Sequence, residues 1–503
     1  MTRQFGKRYL YLLVFAVGAC TMGTEIAGAR LLAPYFGDST IVWANTIAVV
    51  LVALSVGYWL GGRLADRRPR LSALCRAVLG GAILIALIPF FARPFLGASV
   101  DAFDQISIGG FAGSLIGVLV LLAVPVMVMG SASPWAIRIA MDGVEKSGEV
   151  AGRLYAISTA GSLVGTMVSA LVTIPLLGTQ RTFLLFALLV AVVAAVGAAG
   201  WRWSAVPASV ALAILFPVGT IKASGPGEVL FEAETTHQYA RVVELDDGER
   251  RLELNEGQAI HSIYRPGQYL VGNYWDENLV LPFAGSGKPP GRIAILGNAA
   301  GTVARAYGHF FPETRIDAVE IDGKLTELGR KYFDLRNPRM EVFAEDARPW
   351  LRQADDDYDV IIVDAYHQPY IPFYLATREF FELARDRLAP GGMVLINVGH
   401  PEGNDDLEKA LTRTMATALP EIARDPVTAT NTMLVGSLSP IEASRIDQVS
   451  RARPTVMPPA LRPVARETAA RMAPGLPGGA LWTDDRAPVE WLVDLSLLNY
   501  ASE

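Results

Sequence analysis

Between residues 9 and 221 the chain alternates long apolar runs with short polar connections. The runs 9–32, 41–61, 71–91, 106–129, 154–176 and 183–200 each come near the roughly 20 apolar residues that an α-helix needs to cross a hydrocarbon core. A shorter run, 205–221, carries Pro207 and Pro217 and predicts a seventh span or a re-entrant segment. After residue 222 the rhythm changes. Residues 241–245 and 251–254 alternate and are joined by Asp246, Asp247 and Gly248, a hairpin signal. A helix is predicted over 269–283, followed by a Gly- and Pro-rich linker at 285–291. From there apolar strands at 292–296, 315–319, 340–344, 358–364, 393–398 and 432–436 alternate with helical stretches ending near 311 and spanning 375–388 and 405–419. Strand and helix in alternation predict a parallel, doubly wound sheet. The Pro-rich stretch 454–477 is expected to be a surface excursion before a terminal helix at 491–498.

The expected architecture is therefore an N-terminal all-α transmembrane bundle of about seven helices (1–221), a small β-rich part (222–284) and an α/β Rossmann-like domain (285–503). The first apolar segment is long and is followed by further spans, so it is expected to remain as a helix and not to be cleaved as a signal peptide. Arg3, Lys7 and Arg8 precede the first span, Arg63, Arg67, Arg68, Arg70 and Arg76 follow the second, and Arg138, Lys146 and Arg153 follow the fourth. Excess positive charge marks the cytoplasmic side, which places the N-terminus there in a cell-membrane protein. Seven crossings would then put the polar half on the opposite side, outside.

Net charge is −6 and there is no basic tail, which argues against a nucleic-acid partner. Cys20 and Cys75 both fall in apolar runs, leaving the polar half without a thiol for a disulfide or a metal site. His237, His261, His309, His367 and His400 are scattered without metal-ligand spacing, so no metal is expected. Glu25 and Arg30 lie inside an apolar run, where a charge must pair, face a polar cavity or snorkel to the interface.

The stretch 292–369 carries the chemistry. A strand, the small-residue loop 297–302 and a helix form the start of a nucleotide-binding βαβ unit. Small side chains let backbone N–H groups approach a ligand, and the helix points its positive end at it. Glu320 follows the second strand about 20 residues beyond the loop, where a carboxylate can bridge two ribose hydroxyls. Asp346 ends the third strand and Asp364 the fourth. Ligands of open α/β sheets bind at the carboxyl ends of the strands, so Glu320, Asp346 and Asp364 are expected at one crevice.

These residues resemble the spermidine synthase (polyamine aminopropyltransferase) family, and the whole chain is similar to its multi-pass, membrane-fused bacterial branch. In the apolar half the resemblance rests on residues 25–32, 57–66 and 152–155; in the polar half it rests on His237 with Gln238, on 319–322, on Asp346 with Ala347, and on 358–364. It implies an S-adenosylmethionine-dependent transferase fold and a cosubstrate, decarboxylated S-adenosylmethionine or S-adenosylmethionine, with no permanently bound cofactor. It also implies a small-molecule amine substrate and allows a homodimer. Gln238 matches the glutamine at the thioadenosine, Gly297 the glycine loop, Glu320 the ribose-binding glutamate, Asp346 and Ala347 the pair beside the adenine, and Asp364 the catalytic aspartate. An acid belongs at Asp364 because the attacking amine arrives protonated and must lose a proton to become a nucleophile.

Three positions depart from the family pattern. Ala300 stands where an aspartate grips the aminopropyl ammonium, His367 where an acid binds the polyamine, and Trp275 where a histidine touches it. With Pro369 and the aromatic loop that continues through Tyr366, Tyr370, Phe373 and Tyr374, these are the expected substrate-binding positions. An alanine cannot pair with an ammonium, and a histidine above its ordinary pKa of about 6.5 offers no negative charge. The leading expectation is aminopropyl transfer to a diamine such as putrescine. The alternatives are methyl or other alkyl transfer from S-adenosylmethionine to a membrane-associated substrate, and a non-catalytic transporter or polyamine or nucleotide sensor.

Overall fold

The structure, a computed structural model, describes residues 3–36, 40–106, 110–141, 143, 147–216, 227–235, 237–255, 260–354, 357–366, 370–451 and 456–493. They form two compact units, one of Met1–Ala223 with Glu232–Tyr239, the other of Ser224–Phe231 with Ala240–Glu503.

The first unit is helical: α1 (Arg3–Phe36), α2 (Thr40–Arg67), α3 (Leu71–Ile106), α4 (Gly110–Gly130), α5 (Ala132–Ala140), α6 (Ser147–Val168), a π-helical turn Ser169–Thr173, α7 (Ile174–Leu177), α8 (Thr179–Gly197) and α9 (Ala205–Ile214). Small residues bring α1 and α6 close together. A Cβ at Gly161 or Gly165 would strike the backbone carbonyls of Phe15 and Ala19, the kind of approach that small residues permit between apolar helices. Leu13, Val78 and Phe183 lie in one continuous core. Among the described residues six helical stretches are long and apolar enough to cross a membrane, the last being Thr179–Gly197. Of the shorter run at 205–221, residues 217–221 lie outside the described residues, and the described part holds α9, 10 residues or about 15 Å of helix. Glu25 is buried, and Arg30 donates to the carbonyl oxygen of Thr235 at 3.4 Å.

After the helices comes a four-stranded sheet in the order β1 (Glu228–Glu234), β2 (Tyr239–Glu244), β3 (Arg250–Leu254), β4 (Ile260–Tyr264), in which β2–β3 and β3–β4 are antiparallel. The helix expected over 269–283 is instead two single turns, α10 (Tyr274–Glu277) and α11 (Phe283–Ser286). Gly272 and Asn273 have φ of +81° and +67°, which no helix accommodates, and Pro282 lacks the N–H a continuing helix needs. Next come β5 (Arg292–Leu296), α12 (Thr302–Phe310), β6 (Arg315–Val319), α13 (Gly323–Tyr332), β7 (Met340–Phe343), α14 (Ala347–Gln353), β8 (Tyr358–Val363), α15 (Arg378–Arg385), β9 (Leu388–Gly399), α16 (Asp406–Met415), β10 (Glu421–Thr428), β11 (Asn431–Ser437), α17 (Ala443–Arg451), α18 (Arg462–Arg471) and β12 (Ala473–Pro474).

The eight-stranded sheet runs β12-β10-β11-β9-β8-β5-β6-β7. Its β9-β8-β5-β6-β7 part is parallel, and β11, β10 and β12 add an antiparallel edge. Both faces are covered. Ile293 and Ile295 enter one core and Ala294 and Leu296 the other, the two-residue period of a strand buried on both sides. The stretch 454–477 is not a surface excursion, because α18 buries Ala465 and Thr468 beside Leu461. From β5 the chain builds outward through β6 and β7, then returns to place β8 on the other flank of β5. The strand order therefore reverses between β5 and β8, where open sheets of this kind bind ligands.

Candidate active site

At that reversal Gly297 follows β5 and Asp364 follows β8. The N–H of Asp364 donates to the carbonyl of Leu296 at 2.9 Å, and the N–H groups of Gly297 and Asn298 both donate to Val319 at 2.9 and 3.1 Å. Gly297 has φ of +92°, and a Cβ there would sit 2.5 Å from Cα of Ala365 and 2.6 Å from the carbonyl oxygen of Asp364. Only glycine fits so close an approach.

A cavity of about 760 Å³ opens in front of these residues, lined among others by Gly297, Asn298, Ala299, Asp364, Tyr274 and Trp275. Asp364 is the one carboxylate among its described lining residues. Asn397 donates Nδ2 to Asp364 Oδ1 at 3.0 Å, and Asn431 in turn donates to Asn397 Oδ1 at 2.9 Å. The Tyr274 hydroxyl is a second hydrogen-bond donor to Asp364. Burial outweighs these donors and pushes the Asp364 carboxyl up from 3.8 to about 7. Tyr366 fixes the neighbouring strand ends, donating to the carbonyl of Asn397 at 2.9 Å and accepting from the N–H of Gly399 at 2.8 Å. Burial also pushes His261, in the cavity wall, down to about 4, so it is neutral at physiological pH.

The other expected residues take distinct places. Glu320 follows β6, where one oxygen accepts the N–H of Ala299 at 2.8 Å and the other the N–H of Asp322 at 3.0 Å. Its burial raises the carboxyl to about 7, against the pull of those two donors. Asp346 follows β7 and caps α14, accepting from the N–H of Arg348 at 3.1 Å and the Tyr374 hydroxyl at 3.0 Å; Ala347 is buried beside it. Asp364, Gly297, Glu320 and Asp346 thus sit at the carboxyl ends of four adjacent strands, although Glu320 and Asp346 are not among the residues lining the cavity. Gln238 lies in the segment that belongs to the helical unit, where its backbone N–H and carbonyl are both bonded to Thr235.

The residues expected at the substrate end take different places. Ala300 does not face the cavity; it is fully buried in an apolar core with Leu325, Leu328 and Phe333. Trp275 is in the cavity wall, its ring tilted by 33° against that of Tyr274 with the ring centres 4.5 Å apart. His367 and Pro369 lie outside the described residues. Sequence reasoning missed Tyr274, Asn397 and Asn298. Asn397 was findable, because it is the polar residue near the end of the apolar strand β9, the same signal that marks Asp364. Among the described residues no group of three or more His, Cys, Asp and Glu side chains is arranged to hold a metal ion.

Residues 278–446 match the family model described as "Spermine/spermidine synthase domain". A Bifidobacterium longum protein named "Probable polyamine aminopropyl transferase" is 35% identical over 187 residues, 37% of this chain and 41% of that protein. "Polyamine aminopropyltransferase 2" of Ralstonia nicotianae is 24% identical over 431 residues, covering 79% of each chain. The crystal structure of a probable spermidine synthase from Corynebacterium glutamicum aligns with a TM-score of 0.39 and 22% identity, over 51% of this chain and 98% of that one.

Proposed function

We propose, from the match of residues 278–446 to the spermine/spermidine synthase domain, that this chain is a polyamine aminopropyltransferase. It would move the propylamine group of decarboxylated S-adenosylmethionine to a diamine such as putrescine, giving spermidine and methylthioadenosine. The observation that carries this reading is Asp364: a half-buried carboxylate at the sheet's reversal point, facing a cavity, held by Asn397 and Tyr274 and raised to about 7. A base poised near neutral pH accepts the proton of an arriving ammonium and frees its lone pair. The amine nitrogen forms a bond to the propyl carbon beside the sulfonium, that carbon–sulfur bond breaks, and its electron pair returns to sulfur as a neutral thioether. The proton leaves on Asp364. Charge is dispersed as the sulfonium is lost, so positioning in a water-poor pocket supplies much of the rest. The rings of Tyr274 and Trp275 offer faces to a cationic amine, an attraction of about 0.5 to 2 kcal/mol.

We assign the adenosine half of the cosubstrate to the strand ends: Gly297 to close backbone approach, Glu320 to the ribose, Asp346 and Ala347 to the adenine. Each carboxylate oxygen that already accepts one N–H keeps a second lone pair for a ligand. For Gln238, His367 and Pro369 the support is the sequence resemblance. The reaction is tested by incubating purified protein with decarboxylated S-adenosylmethionine and putrescine and identifying the sulfur product.

We also assign the helical unit to a membrane. Leu51, Val52, Leu119, Val120, Leu171 and Val196 are exposed, an apolar surface that a bilayer would cover. Six crossings, unlike seven, return the chain to the side on which it started, and Arg67, Arg68, Arg70, Arg138 and Arg153 mark that side as cytoplasmic. A cysteine introduced at exposed Glu313, in a chain with Cys20 and Cys75 replaced by alanine, should resist a membrane-impermeant maleimide in intact cells and react after lysis. Labelling in intact cells would put that residue outside.

A further inference from the structure

The loop from Gly297 to Gly301 sends neighbouring side chains into opposite surroundings. Gly297, Ala299 and Gly301 all have left-handed φ, of +92°, +46° and +89°. Two anchors hold the result: Glu320 accepts the N–H of Ala299 at 2.8 Å, and Ser262 Oγ accepts that of Ala300 at 3.0 Å. Ala300 is thereby placed in the apolar core and Asn298 in the cavity wall. Asn298 is only 5% exposed, yet neither its Oδ1 nor its Nδ2 has a hydrogen-bond partner. A buried amide with both ends unmet is unfavourable unless a ligand or water completes it. The adjacent Gly297 lies against the backbone of Asp364, and Asn298 and Asp364 line the same cavity. His261 Nε2, buried without a partner in the same wall, adds a second neutral polar contact.

We propose that Asn298 is the residue that meets the transferred group, and that its neutral amide lets the site hold intact S-adenosylmethionine as well as the decarboxylated form. This rests on the cosubstrate reading above. The two ligands differ by one carboxylate on the chain bearing the ammonium. An amide presents an oxygen to an ammonium and N–H donors to a carboxylate. A carboxylate in its place would attract the ammonium and repel the ligand's own carboxylate. The charge of residue 298, not of residue 300, therefore sets the preference between the two.

Calorimetric titration of the full chain with each ligand tests this, using the wild type, Asn298→Asp and Asn298→Ala. Wild-type affinities should lie within about tenfold of each other, and Asn298→Asp should move their ratio by at least about tenfold toward the decarboxylated ligand. Asn298→Ala, which keeps a small neutral side chain, should weaken both. A wild type that binds the decarboxylated ligand and not S-adenosylmethionine overturns the proposal, as does an alanine variant with both affinities unchanged. So does a folded aspartate variant with an unchanged ratio. These are binding readouts: affinities that behave as expected in a wild type that releases no methylthioadenosine would defeat the aminopropyl-transfer reading and leave the role of Asn298 standing.

Discussion

Asn397 holds the carboxylate of Asp364 at 3.0 Å through its side-chain amide, while its own oxygen is held at 2.9 Å by Asn431. Three strands, β8, β9 and β11, thus contribute one polar residue each to a relay that ends at the proposed base. The relay holds one oxygen of Asp364, and the Tyr274 hydroxyl donates to the same carboxylate where it meets the cavity.

Replacing Asn397 by alanine should lower kcat with little change in KM, because the amide orients the base without lining up the whole substrate. Hydrogen bonds to a charged group contribute about 1.5 to 3 kcal/mol, which corresponds to roughly a tenfold to hundredfold loss. Steady-state kinetics on the purified variant checks this; a rise in KM with unchanged kcat would assign Asn397 to binding instead.

The pH profile follows from the Asp364 carboxyl at about 7. The base must be ionised, so kcat/KM should rise as pH increases through about 7 and then level off. A bound sulfonium favours the ionised form, so the corresponding limb of kcat should lie at lower pH. Limbs that coincide would mean that the cosubstrate's charge does not reach Asp364.

Stability should show the same group with the opposite consequence. The folded carboxyl titrates near 7 and the unfolded one near 3.8, so the folded state binds the proton more tightly and loses stability as pH rises between those values. Asp364→Asn removes that penalty. Its Tm should exceed the wild type's above pH 7, and the gain should shrink toward zero as pH falls to about 4, by thermal unfolding across that range. The same variant should lose at least about a hundredfold in turnover.

Glu320→Ala removes the acceptor that fixes the N–H of Ala299 and the carboxylate assigned to the ribose. Affinity for methylthioadenosine, measured by calorimetry, should fall by at least about tenfold, the size of one or two hydrogen bonds to a charged group. Unchanged affinity would remove Glu320 from the site.

Much of this fold is legible in the chain because its strands are buried on both faces and appear as unbroken apolar runs, as in β5 and β8. The antiparallel edge is less legible. β10 reads Glu-Ile-Ala-Arg-Asp-Pro-Val-Thr, with a proline and three charges, and it is a strand because β11 pairs with it over Glu421–Thr428 and Arg471 neutralises its buried Asp425. The strand-end acids could be read locally, since position at the end of an apolar run is a local property. Which loop residue faces the cavity could not: Asn298 and Ala300 are two apart in sequence, and the left-handed turn at Ala299 decides which enters the core. Nor could the contact between Asp364 and Tyr274, which joins residues far apart in the chain through the backbone reversal at Gly272 and Asn273. The helix of the seventh apolar run ends at Ile214, and residues 217–221 of that run lie outside the described residues.

The most direct test follows both products of one reaction. Purified wild-type protein is given decarboxylated S-adenosylmethionine and putrescine, and the amine and sulfur products are measured together by mass spectrometry, with Asp364→Asn alongside. Aminopropyl transfer predicts an amine lengthened by one aminopropyl group in equal amount with methylthioadenosine, and almost none of either from the variant. Bound cosubstrate with no lengthened amine, or methylthioadenosine released equally by the variant, would contradict it.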